Sequence, residues 1–158
     1  MPSVRLVPAQ VEDAYLILKW RNDHNTRKAF GYERLISTEA NEAWVAERIS
    51  NKSEKLLVIE TEDGQSQTHF VNRVGYIRLT TVKSEVQVEI SIGRNWRGRG
   101  VATDTLKLIC KEYGKAGILS AMVKIYNFSG LWAFDKAGFH EDGEVNVNGT
   151  DFIRMVYP

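Results

Sequence analysis

The chain has 158 residues, 43% of them hydrophobic, which suits one domain built around one core. With 21 Lys and Arg against 20 Asp and Glu the formal charge is only +1, whereas a general nucleic-acid binder carries a strong basic excess. No apolar run reaches the roughly 20 residues of a membrane-spanning helix, the start MPSVRLVP lacks a signal-peptide pattern, and one cysteine with three scattered histidines gives neither an internal disulfide nor a metal-ligand spacing.

A cytoplasmic chain is therefore expected, without a metal and without a nucleic-acid or membrane partner. In chain order, SVRLVP at 3–8 predicts a short strand, and VEDAYLILKWR at 11–21 carries apolar residues three and four apart, as an amphipathic helix does. Residues 22–36 read as an irregular loop. Ser37 is placed to cap a second helix running to about Ile49, with Ala40, Trp44, Val45 and Ile49 as its apolar members. KLLVIE at 55–60 and RVGYIRLTTV at 73–82 predict a hairpin across the turn material TEDGQSQTH, and a third strand covers 86–92.

A helix over about 102–115 places Ala102, Leu106, Ile109, Cys110 and Tyr113 on one face, so Cys110 is expected to pack in the core. ILSAMVKIY at 118–126 is apolar and β-branched enough for a buried strand. Ser129 is placed to cap a shorter helix ending near Ala137, with Gly138 as its terminal glycine. Asn148-Gly149 signals a closing hairpin, which could complete the sheet or serve as the edge of a homodimer. The resulting order, βααβββαβαββ, is a mixed α/β sheet with helices packed on it, in a single domain over 1–158.

Between the third strand and its helix lies RNWRGRGVATDTL, 94–106, with three arginines and two glycines in its first seven positions. A helix N-terminus presents unpaired N–H groups and about half a positive charge, so it holds phosphate where the preceding chain lets one approach. Gly98 and Gly100 remove side chains that would block the approach, and Arg97 and Arg99 add charge and paired donors. The pattern suits a pyrophosphate. A solvated turn is the plain alternative, and an arginine-glycine nucleic-acid contact would normally be repeated along the chain. No Lys-Ser or Lys-Thr follows as in G-x-x-x-x-G-K-[ST], and the third glycine of G-x-G-x-x-G is missing.

Arg97-Gly98-Arg99-Gly100-Val101-Ala102 resembles the R/Q-x-x-G-x-G/A signature of the GNAT superfamily of N-acetyltransferases, and VEISIGRN before it resembles that family's fourth strand. Asn127-Phe128-Ser129 and Phe134-Asp135-Lys136-Ala137-Gly138-Phe139 resemble its N-x-[SA] and Y-E-K-x-G-F segments. The resemblance covers nearly the whole chain and implies the GNAT fold, a splayed central sheet and acetyl-coenzyme A as co-substrate. It further implies that the backbone around Ile90, Ser91 and Ile92 bonds the pantetheine and acetyl carbonyl. Arg97, Gly98, Arg99, Gly100, Val101 and Ala102 would cradle the pyrophosphate, with Asn127, Ser129, Phe134 and Lys136 along the coenzyme.

N-acetyl transfer needs a neutral amine, a donor for the oxyanion on the thioester carbonyl and an acid for the departing thiolate. Along 86–92, Val86, Val88, Ile90 and Ile92 alternate with Gln87, Glu89 and Ser91, and a polar face on a central strand suggests a cleft wall. Glu89 is the carboxylate on that face nearest the expected acetyl group, and partial burial would raise its pKa towards that of a general base. A solvated glutamate or a structural ion pair is the alternative. Where the family usually has a tyrosine this chain has Phe134, which has no proton to give. Tyr126, read as ending the 118–126 strand beside Met122 and Lys124, is either a substitute acid or a buried packing residue, and Ser129 either a thiolate donor or a cap. No nucleophile with a partner base is visible, so direct transfer is expected.

Leu18-Lys19-Trp20-Arg21-Asn22-Asp23, with Arg27, Phe30, Ile36-Ser37 and Trp44, resembles the W-R-N segment of amino-sugar N-acetyltransferases from bacterial surface-glycan and flagellin-glycosylation pathways. That implies a small-molecule acceptor, the 4-amino group of a nucleotide-linked amino-dideoxy sugar, bound by Trp20, Arg21, Asn22 and Phe30. Phe30 and Tyr32 could stack on a base or sugar face. The tryptophans equally fit core packing, and Arg21 a helix C-terminus. A similar W-R pattern occurs in enzymes that acetylate protein N-termini, ribosomal proteins included. Phe134 also admits a coenzyme A-binding module without catalysis.

Overall fold

The structure, a computed structural model, describes residues 3–31, 33–62 and 71–158. Strands β1 (Ser3–Pro8), β2 (Glu54–Glu62), β3 (Val71–Val82), β4 (Glu85–Ile92), β5 (Ile118–Lys124), β6 (His140–Val147) and β7 (Thr150–Tyr157) form one sheet in the order β1-β2-β3-β4-β5-β7-β6. Every neighbouring pair is antiparallel except β4–β5, which is parallel.

Alternation along the strands sets two layers. On one face Ile77, Leu79, Val88, Leu119 and Val123 pack beneath α4 (Val101–Tyr113) and α5 (Phe128–Lys136), with Leu106, Ile109 and Cys110 of α4 and Phe134 of α5 filling the core. On the other face Leu56, Val58 and Tyr76 meet Ile17 and Trp20 of α1 (Ala14–Asn22) and Val45 of α3 (Thr38–Ser50). The expected cap of α3 is present, the Ser37 hydroxyl accepting from the Ala40 amide. Asn148 and Gly149 both take left-handed backbone at the β6–β7 turn, and β6 completes the sheet as its edge strand.

Three readings need correction. Residues 22–36 are not all loop, since α2 (His24–Phe30) forms there behind an Asp23 cap. Strand β5 stops at Lys124, so Ile125 and Tyr126 belong to the turn that follows it. The cap of α5 is Asn127, whose side chain accepts from the Gly130 amide, and Ser129 lies within the helix. Of the expected turn TEDGQSQTH, Thr61 and Glu62 belong to β2 and the remainder lies outside the described residues. Among the described residues no helix is long and apolar enough to cross a membrane, and no group of three His, Cys, Asp or Glu could hold a metal ion.

The site is positioned by an incomplete ladder. Strands β4 and β5 pair only from Glu85↔Ile118 to Gln87↔Ser120. Beyond this, β4 stays with β3 as far as Ile92↔Gly75, and β5 stays with β7 as far as Lys124↔Phe152. Each strand is held on its outer edge while the inner edges part. At the closed end Arg154 of β7 bonds Glu85 of β4, and that guanidinium, then Ser120, holds the Glu85 carboxyl below its usual pKa. At the open end β3 and β4 run so close that a Cβ on Gly75 would lie 2.1 Å from the Ser91 carbonyl oxygen. Gly75→Ala must push β4 away, and a loss of about 2–4 kcal/mol in urea unfolding is expected; a loss below ~0.5 kcal/mol would show that the strands yield freely.

Candidate active site

Where β4 and β5 part, a cleft of about 830 Å³ opens. Its walls are Ile90, Ser91 and Ile92 of β4, the loop from Trp96 into α4, one side of α5 and one side of α2. The loop leaves β4 through a 3-10 turn (Arg94–Trp96), then passes Gly98 and Gly100 at φ 73° and 81°. A Cβ at either would meet no protein atom within 4 Å, so protein crowding does not demand glycine there. The left-handed backbone does, and Gly100 is itself the N-cap of α4. The Asp104 amide is bonded to the Gly100 carbonyl at 3.0 Å, and the three residues before it, Val101, Ala102 and Thr103, begin the helix on the cleft wall.

The charge at this end is arranged differently from the simplest reading of RGRG. Arg99 stacks on Trp96, 4.9 Å from the ring centroid, and is not part of the lining. Arg97 does line the cleft, but its Nε donates to the Ile92 carbonyl at 3.0 Å and its Nη2 to Asp23 at 2.7 Å and to the Thr26 hydroxyl at 3.4 Å. Lys107 and Lys136 face the cleft as well, Lys136 lying 5.4 Å from the ring of Trp132. Lys107 was missed by sequence reasoning, although it follows Thr103 by four positions and so shares its helix face. Trp132, Asn25 and Thr26 were missed too, the last two because their helix has no apolar period.

Asn127, Ser129, Phe134 and Lys136 all reach the cleft. The Asn127 side-chain oxygen Oδ1 accepts from the Gly130 amide at 3.1 Å and from the Ser129 hydroxyl at 3.2 Å, while Phe134 is buried edge-on against Phe139. Ser91 is buried with its hydroxyl 3.1 Å from that of Thr26. Glu89, on the same face of β4, stands outside the lining, 45% exposed and 3.6 Å from Arg78. Tyr126 is 80% exposed, edge-on to Phe128, and is neither buried packing nor part of the lining. Cys110 is buried on the core face of α4 outside the cleft, and burial pushes its thiol up to about 11.

Of the residues read as acceptor-binding, only Phe30 lines the cleft. Trp20 stacks against Tyr76 at 6.4 Å, and Trp44 meets the same ring edge-on. Arg21 is buried, donates to Asn41 at 3.1 Å and lies 3.9 Å from the Trp44 ring, which ties α1 to α3. The Asn22 side chain both donates to and accepts from the backbone of Ile36, pinning the chain after α2. These three are structural because their partners come from α3, β3 and residue 36, which local sequence does not reveal. Tyr32 lies outside the described residues.

A profile of the acetyltransferase (GNAT) domain matches residues 3–139. Among solved structures the chain is similar to spermidine N-acetyltransferase from Vibrio cholerae in complex with CoA and spermine, at 19% identity and TM-score 0.80 over 97% of this chain and 94% of that one. It is also similar to a domain from Methanocaldococcus jannaschii, at 15% identity and TM-score 0.81 over 98% of each chain. A third similar structure is aminoglycoside acetyltransferase AAC(6')-Ib in complex with coenzyme A, at 13% identity and TM-score 0.79 over 98% and 94%. No curated protein matches the chain in sequence. At such identities the likeness speaks for the fold.

The contact between the loop and α2 carries a pH signature. Burial disfavours the Asp23 carboxylate, but the Arg97 hydrogen bond and the Thr26 and Asn25 amides outweigh it and hold the carboxyl below its usual range. A carboxyl more acidic in the folded state stabilises the fold above its unfolded pKa of about 4, and that contribution disappears as pH falls through the folded value. Asp23→Asn is expected to lose on the order of 1 kcal/mol of unfolding free energy at pH 7. Measured by urea unfolding at stepped pH, the deficit should shrink below about pH 4; a deficit unchanged down to about pH 2 would contradict the ion pair.

Proposed function

The chain belongs to the GNAT acetyltransferase family, and from that premise we propose that it transfers acetyl from acetyl-coenzyme A directly to a primary amine in the gap between β4 and β5. The observation that carries this reading is the parting of the two strands beside a helix N-terminus that follows two left-handed glycines. The residues fit such a co-substrate: helix-start amides with Lys107 and Lys136 for phosphates, and the parted edge of β4 for an amide-bearing arm.

Acetyl-coenzyme A supplies an acetyl group activated as a thioester. The reaction forms a bond from amine nitrogen to carbonyl carbon, breaks the carbon–sulfur bond, and moves one proton from the amine and one to the sulfur. The alternate backbone N–H groups along Ile90–Ile92 that are not spent on β3 would donate to the carbonyl oxygen as charge grows on it. Glu89 lies two residues before Ser91 on one strand face, about 7 Å along β4, so it would take the amine proton through water rather than directly. Ser129, on the cleft wall, is better placed than exposed Tyr126 to hydrogen-bond the departing sulfur. Phe134 shapes the cleft without giving a proton.

For the acceptor we propose the 4-amino group of a nucleotide-linked amino-dideoxy sugar, on the resemblance of residues 18–23. One feature supports an acceptor of this kind: Phe30 lines the cleft beside the polar Asn25 and Thr26. Trp20, Arg21 and Asn22 would then shape the acceptor side from behind.

Labelled acetyl-coenzyme A offered with a 4-amino nucleotide sugar, peptides with free N-termini and spermidine tests this reading. Transfer to the sugar is expected. Transfer only to peptides makes the chain a protein N-terminal acetyltransferase, and binding without transfer makes it a coenzyme A-binding module. With the acceptor found, Glu89→Gln is expected to lower kcat about 100-fold at neutral pH with coenzyme affinity unchanged; wild-type turnover would end the base role.

A further inference from the structure

Motif spacing assigns Arg97 to a phosphate, yet its guanidinium is turned to α2. A single oxygen of Asp23 accepts from Arg97 at 2.7 Å, from the Asn25 amide at 3.0 Å and from the Thr26 amide at 3.3 Å. The side chains of this pair are only 30% and 19% exposed, so solvent competes weakly for the bond. Thr26 continues the chain of contacts to Ser91 at the parted end of β4. At the other end of α2, the Lys124 ammonium of β5 donates to the Lys28 carbonyl. Seven residues are too few to hold a helix on their own. The position of α2 is therefore set by its bonds to the loop and to the two diverging strands.

We propose that Arg97 and Asp23 are positioning residues that transmit coenzyme binding from the glycine loop to the acceptor wall. This rests on coenzyme A binding in the gap. A pyrophosphate held by the loop amides restrains the Arg97 main chain. Its guanidinium, bonded to Ile92, Asp23 and Thr26, restrains the start of α2, which carries Asn25, Ala29 and Phe30 on the acceptor side. Coupling of this kind is reciprocal, so an acceptor that orders α2 tightens the loop by the same factor.

The test is hydrogen exchange of the full chain with and without saturating coenzyme A, read together with calorimetric affinity. In the wild type, coenzyme A should slow exchange at 98–103 and, about fivefold, at 24–30. Asp23→Asn keeps an oxygen for the helix cap, and Arg97→Gln keeps a donor for Ile92. Both variants should bind coenzyme A within about threefold of the wild type but lose protection of 24–30. The double variant should be no worse than either single one, because both remove the same link. Arg97→Lys, which keeps a charge beside Asp23, should recover part of the protection. Protection of the loop without α2 in the wild type overturns the coupling, as does a loss of coenzyme affinity beyond about 30-fold in Arg97→Gln, which would make Arg97 a phosphate ligand. Absence of any binding sinks the acetyl-transfer reading, and this inference with it.

Discussion

The structure depends on a ladder that stops early. A strand inside a sheet normally spends the N–H and C=O groups of both edges on its neighbours, and buried backbone groups without partners are costly. Strand β4 spends its outer edge on β3 throughout, but it meets β5 for three residue pairs only. The parted stretch is thus a row of backbone donors and acceptors on a rigid support, suited to an extended molecule carrying amides. The parting is maintained from several sides. Arg154 and Glu85 close the apex, α4 and α5 pack beneath, and α2 bridges the open end above.

The same arrangement explains how an almost neutral chain can present a cationic site. The helix start, Lys107 and Lys136 all line the cleft, while several other charges are neutralised in pairs such as Arg78 with Glu54 and Arg73 with Asp13. Arg97 and Arg99, the most visible charges in the sequence, contribute less directly than their number suggests. One is bonded to the start of α2 and the other lies over Trp96. Placing charge on the helix backbone and on two lysines leaves the loop free to serve as a joint between the donor and acceptor sides.

The strands and the two helices on the core face were readable because burial imposes period on sequence. Val86 to Ile92 alternates, and Leu106, Ile109 and Cys110 recur at helical spacing, as their packing requires. Helix α2 escaped because HNTRKAF has no apolar stripe and is held by a cap and by tertiary bonds. Arg97 and Asp23 are 74 positions apart, so their bond leaves no local trace. Trp20, Arg21 and Asn22 show the complementary failure. Residue types that suit a sugar phosphate also suit an aromatic stack on Tyr76, and only the fold tells which way they face.

Amide chemical-shift mapping on the labelled 18.0 kDa chain titrated with coenzyme A tests the central claim most directly. The account predicts saturable shifts that are largest at residues 90–92 and 98–103, the parted edge of β4 and the glycine loop with the start of α4. Shifts confined to other surfaces, or none at millimolar coenzyme A, would contradict it.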